Sequence, residues 1–111
     1  MNKIILLNLK FKINIKGEII MTLMNLIPVG NKKRITSAEI SEKLNISGAE
    51  VRSQIHNLRT QNVPIASDGN GYYIATNPSD LEHTIASLNS RISKMIAVRE
   101  SLKKSQEKMK A

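Results

Sequence analysis

Arg52, Ser53, His56, Asn57 and Thr60 are the residues whose types and spacing point to a chemistry. At about 100° per residue they fall with Ala49 on one side of a helix, while Val51, Ile55 and Leu58 fall on the other. A guanidinium can fork onto guanine and a carboxamide onto adenine; hydroxyls and imidazoles donate or accept singly. Such a face hydrogen-bonds to base edges and phosphates and makes or breaks no covalent bond.

No other constellation competes with it. His56 and His83 are isolated, and with no cysteine in the chain neither a disulfide framework nor a thiolate metal site can form. Gly69-Asn-Gly71 is too short for a nucleotide loop and lacks the strand-to-helix context such a loop needs. Ser47 is explained by a helix cap. We therefore expect no catalytic residue, no cofactor and no metal, and hence no enzyme.

The elements that must position this face can be read on either side of it. Ser47 with Glu50, and before it Thr36 with Glu39, are capping boxes that start two helices, and Asn45-Ile46 turns between them. Ile40 and Leu44 face inward from the earlier helix. Upstream, residues 18–29 are apolar at Ile19, Ile20, Leu23, Met24, Leu26 and Ile27, which predicts a buried first helix ended by Pro28 and Gly30. A basic loop carrying Lys32, Lys33 and Arg34 follows, and then Ile35 as a short strand. Downstream, Val63–Ser67 and Tyr72–Ala75 predict strands around Asp68-Gly-Asn-Gly71, whose glycines suit a hairpin turn. Of the paired tyrosines, Tyr72 is expected to be the one that packs. The expected fold is mainly α with a small β-hairpin, a winged helix-turn-helix with a long C-terminal helix.

The stretch Thr36–Ile65, followed by Gly71-Tyr72, resembles the DNA-binding domain of winged-helix proteins of the biotin-operon-repressor type over about half of the chain. The phrases Pro64-Ile-Ala-Ser67 and Gly71-Tyr-Tyr-Ile-Ala75, with a long helical tail after them, resemble small winged-helix proteins carried by bacteriophages. Biotin chemistry belongs to the ligase domain of those repressors and is not implied. The resemblance implies sequence-specific binding of double-stranded DNA by a phage or prophage protein, in transcription regulation or DNA replication. Residues 47–61 would be the recognition helix, reading bases with Arg52, Ser53, His56, Asn57 and Thr60. Lys32, Lys33, Arg34, Ser47 and Asn70 complete the expected DNA-binding set. Asp68 near the hairpin tip is unfavourable beside phosphate.

With 111 residues the chain supports one domain and an appendage, and its formal charge of +8 favours a polyanionic partner. Residues 18–77 are read as the winged domain and 78–111 as a C-terminal helix capped by Ser79. Leu81, Ile85, Leu88, Ile92, Met95 and Leu102 alternate in steps of four and three, with Arg99 as a polar break. A helix of about 45 Å at 1.5 Å per residue outruns a small domain, so this seam is expected to make a homodimer. Residues 1–17 have two readings. Leu9–Lys16 alternates like an edge strand, whereas Lys16-Gly17-Glu18 can be encoded as a ribosome-binding sequence ahead of Met21, which makes the segment a leader. The apolar run at Ile4–Leu7 is too short to span a bilayer, so no membrane partner is expected. The bacterial host cytoplasm is the expected location. A rival reading is a non-catalytic adaptor that binds a host or phage protein through the winged helix or the C-terminal helix, because Glu39, Glu42, Glu50 and Asp68 lie in or near the DNA-facing surface.

Overall fold

The computed structural model describes residues 22–110; the readings of residues 1–17, and of Ile19 and Ile20, lie outside them. The described elements are α1 (22–26), α2 (Ser37–Leu44), α3 (Gly48–Thr60), β1 (Ile65–Asp68), β2 (Gly71–Ile74), a 3-10 turn (Pro78–Leu81) and α4 (Glu82–Lys110). This is a winged helix-turn-helix, mainly α, with one hairpin and a long C-terminal helix.

Local capping starts the two central helices. Thr36 Oγ1 accepts from the Glu39 amide at 3.1 Å, and Glu39 Oε1 accepts from the Thr36 amide at 3.1 Å, which closes the expected box of α2. At α3 only half of the second box forms. Ser47 Oγ accepts from the Glu50 amide at 3.0 Å, but the Glu50 carboxylate is taken by Gln54 Nε2 at 2.8 Å, one turn along the helix. Between them Asn45 adopts the left-handed conformation, with φ of 53°, that ends α2 in a tight turn.

Leu23, Met24 and Ile27 meet Ile40, Val51, Ile55 and Leu58 in one buried cluster, closed from below by Val63, Ile65 and Ile74. The three-helix part is therefore held by its apolar stripes, as their spacing predicted. The stop of α1 does more than end a helix, however. Pro28 and Gly30 flank Val29, which bridges Ile74 in parallel, with the Ile74 amide donating to Pro28 O and the Gly30 amide to Ile74 O, both at 2.8 Å. Ile35 bridges Tyr72 antiparallel on the same outer edge of β2, so this strand is pinned to the connections on both sides of the basic loop.

The hairpin is covered on both faces, and this corrects the reading of the tyrosines. Pairs Ile65↔Ile74 and Ala66↔Tyr73 point to opposite sides because strand side chains alternate. Tyr73, 6% exposed, packs with Ala66, Ala75 and Leu81 in a second cluster, and Tyr72 is only half-buried against the first. The second face exists because the chain after β2 folds back over it. That segment starts at Asn77, not at Ser79. The Asn77 side chain accepts from the Asp80 amide at 3.2 Å, Pro78 takes the first helical position, where its missing N–H costs nothing, and the Ser79 hydroxyl only donates to Asn77 Oδ1.

Glu82–Lys110 then runs for 29 residues, about 43 Å. Thr84 is its only buried residue among those described. The Thr84 hydroxyl accepts from the Ser67 amide at 2.9 Å and donates to the Ser67 carbonyl at 3.2 Å, which ties α4 to β1.

Candidate nucleic-acid interface

The turn after α2 aims α3 so that Val51, Ile55 and Leu58 enter the core and Ala49, Arg52, Ser53, His56, Asn57 and Thr60 stay exposed. Within the described residues no hydrogen bond or ion pair occupies the side chains of Arg52, Ser53, His56 or Asn57, which leaves a row of donors and acceptors turned outward. Thr60 Oγ1 donates back to the Asn57 carbonyl at 2.7 Å, and Ser47 Oγ is used by the cap. Gln54, placed between two core positions, is buried; its Oε1 has no partner in the protein.

Arg34 is held differently from Lys32 and Lys33, which are exposed in the loop. Its Nε donates to Asp68 Oδ2 at 2.9 Å, its Nη2 pairs with the same oxygen at 2.9 Å, another guanidinium N–H donates to Asn31 O, and its plane lies 4.4 Å from the Tyr73 ring centroid. The hydrogen bond from Arg34, with the Asn70 amide as a second donor at 2.9 Å, holds the Asp68 carboxyl below its ordinary range. Asp68 in turn raises the Arg34 guanidinium. The carboxylate that looked repulsive to phosphate is thus already neutralised, and the arginine expected to meet phosphate is what neutralises it. At the tip, Gly69 and Asn70 form a two-residue turn, and Asn70 is exposed.

A groove of about 760 Å³ separates α3 from the hairpin. Arg52, His56 and Arg59 line one wall, Asp68, Gly69, Gly71 and Tyr72 the opposite one, and Leu88 and Arg91 of α4 close it. Arg59 directly follows the buried Leu58 and has no pattern of its own in the sequence. It reaches across the groove: its Nε donates to Ile65 O at 2.9 Å and its Nη2 to Ser67 Oγ at 3.1 Å, with the Tyr72 ring centroid at 6.0 Å. Burial pulls this guanidinium below its usual range, against the pull of Tyr72, and the positive Arg91 nearby adds to the fall. Arg91 stands three residues after Leu88 on the same side of α4, a spacing that sets the two beside each other but does not say what they meet.

The seam residues divide at the start of α4. Leu81 is used by the hairpin cluster, while Ile85, Ile92, Met95 and Leu102 are 53%, 53%, 73% and 65% exposed, and Leu88 is 36% exposed at the groove. Ile96, Val98 and Met109 add to this uncovered apolar surface.

Among the described residues no group of three or more His, Cys, Asp or Glu side chains is placed to hold a metal ion, and no helix is long and apolar enough to cross a membrane. The family model of an HTH domain matches residues 27–73, from the end of α1 to the second strand of the hairpin. The match supports a helix-turn-helix DNA-binding domain over that part of the chain. No curated protein and no solved structure matches the chain.

Proposed function

We propose that the protein binds double-stranded DNA with sequence preference, α3 lying in the major groove and the hairpin beside it against the backbone. The observation that carries this reading is the outer face of α3, where Arg52, Ser53, His56 and Asn57 hold hydrogen-bonding groups that the fold itself leaves unused. Direct readout needs such groups within reach of base edges, and Lys32, Lys33, Ser47, Thr60 and Asn70 flank them as sugar-phosphate contacts. A net charge of +8 supplies the sequence-independent part of the affinity.

The role we propose is regulation of transcription, or a step of DNA replication, by a phage or prophage protein in the bacterial host cytoplasm. The HTH-domain match supports the DNA-binding part of this reading. The phrases at Pro64–Ser67 and Gly71–Ala75, with the long helix after them, support its phage part. We also propose that Ile85, Ile92, Met95 and Leu102 form the interface of a homodimer, so that two recognition helices meet paired half-sites of an inverted repeat. The same uncovered seam favours one second reading, an adaptor whose α4 binds a host or phage protein.

Selection of duplexes from a random pool by the full chain, followed by mobility shift, tests the proposal. The recovered site should be bound with an affinity that falls steeply as salt rises. Purification of the tagged chain from infected cells with a protein partner and no DNA would favour the adaptor.

A further inference from the structure

Two arginines from elements distant in sequence face the same groove without a carboxylate between them. Arg59 closes α3 and Arg91 belongs to the third turn of α4. The described ion pairs are Arg34–Asp68, Arg99–Glu100, Lys103–Glu100 and Lys110–Glu107, and none of them includes Arg59 or Arg91. Among the described residues Asp68 is the only carboxylate lining the groove, and Arg34 already holds it.

A half-buried cation beside a second cation is unfavourable unless an anion joins them. Arg59 is fixed by the Ile65 carbonyl and the Ser67 hydroxyl, which use its Nε–H and one Nη2–H. A guanidinium has about five N–H donors in a planar fork, and the rest of the fork has no hydrogen-bond partner among the described residues. Leu88 lies beside it and lowers the local dielectric, which strengthens any charge-assisted hydrogen bond made there. Planar bidentate donors match an anion that presents two oxygens, a phosphate or a carboxylate, and a nucleic-acid backbone presents phosphates.

We propose that Arg59 and Arg91 form a seat for a phosphate group, which makes α4 a third wall of the nucleic-acid interface beside α3 and the hairpin. With the phosphate supplied by a DNA backbone, this rests on the DNA-binding reading above; a free phosphate would use the same seat without it. Arg59 grips and Arg91 covers, so that docking DNA also fixes the third turn of α4 against the domain.

Arg91→Gln is the informative variant, because Arg91 is exposed on α4, whereas Arg59 also braces the hairpin. Lys43→Gln removes the same charge outside the groove and serves as the control. In one arm the affinity of the full chain for a random-sequence duplex is measured against salt. Arg91→Gln should lower the slope by about 1 and weaken all sequences alike, beyond any effect of the control. In the other arm inorganic phosphate is titrated into the free protein, with amide shifts at Ser67 and the Arg59 Nε–H read by NMR. Saturable shifts that vanish in Arg91→Gln identify a free phosphate as the occupant, even if the wild type binds no duplex. A wild type that binds duplex, with Arg91→Gln equal to the control and no phosphate-dependent shift, overturns the seat and leaves DNA binding standing. Absence of both duplex binding and phosphate shifts overturns both.

Discussion

Gly71 sets how closely the hairpin approaches the turn into α2. Its φ is +127°, and a Cβ there would fall inside the van der Waals contact distance of the Ile35 carbonyl oxygen, which is held in place by its bond from the Tyr72 amide at 2.8 Å. Neither atom can move without breaking the Ile35↔Tyr72 bridge. Gly71→Ala should destabilise the fold by on the order of 1–3 kcal/mol, read as a lower midpoint in urea. An unchanged midpoint would contradict this account of the hairpin. Gly69, by contrast, has open space at its Cβ position, so the special conformation belongs to only one of the two glycines flanking Asn70. Arg34 and Asp68 make a related point about charge. A basic loop and an acidic hairpin tip each look like a feature of the binding surface until the geometry pairs them, after which Lys32 and Lys33 are left as the exposed cations of the loop.

At the scale of elements, the decisive contact is the one between β1 and α4. The Thr84 hydroxyl serves both backbone groups of Ser67, and Thr84 is 4% exposed, so Thr84→Val would keep the volume and leave a buried N–H and C=O without partners. The expected cost is about 1–3 kcal/mol, with faster hydrogen exchange of the Ser67 amide. Undiminished protection would show that α4 is held some other way. The helix-turn-helix was legible in the sequence because its signals are local: Thr36 with Glu39, Ser47 before an apolar stripe, Asn45 between them. The outer face of α3 was legible for the same reason, since 100° per residue separates Ser53 and Asn57 from Val51 and Ile55. Tyr73, Thr84, Arg59 and Arg91 were not. Each owes its place to a meeting across a turn or between separate elements, such as Thr84 with Ser67 or Arg59 with Ile65 and Ser67, and no short-range pattern encodes which partner the folded chain will bring. Asn77 and Ser79 are both good capping types in the sequence, and Pro78 decides between them in favour of Asn77.

At the scale of the whole molecule, the domain covers only the beginning of a helix about 43 Å long. Among the described residues Leu88 and Arg91 are the last of α4 to line the groove, yet Ile92, Met95 and Leu102 continue the apolar seam and are exposed. If the seam joins two copies, replacing Ile92 and Met95 together by Asp should convert the dimer into a folded monomer, since neither side chain is part of the core. Sedimentation of the wild type as a monomer at high micromolar concentration would contradict the dimer. A twofold arrangement would also raise the affinity of a domain whose short hairpin has few exposed cations, because two linked half-sites bind far more tightly than one. The central claim is that the outer face of α3 reads DNA, and the most direct test is a mobility shift of the full chain on a duplex selected from a random pool, with Arg52→Ala/Asn57→Ala beside it. Each good base contact is worth about 1–3 kcal/mol, so the double variant should bind the selected duplex at least about tenfold more weakly while keeping its circular dichroism spectrum. Equal affinity of the double variant and the wild type for the selected duplex, or no shift by the wild type at moderate salt, would contradict it.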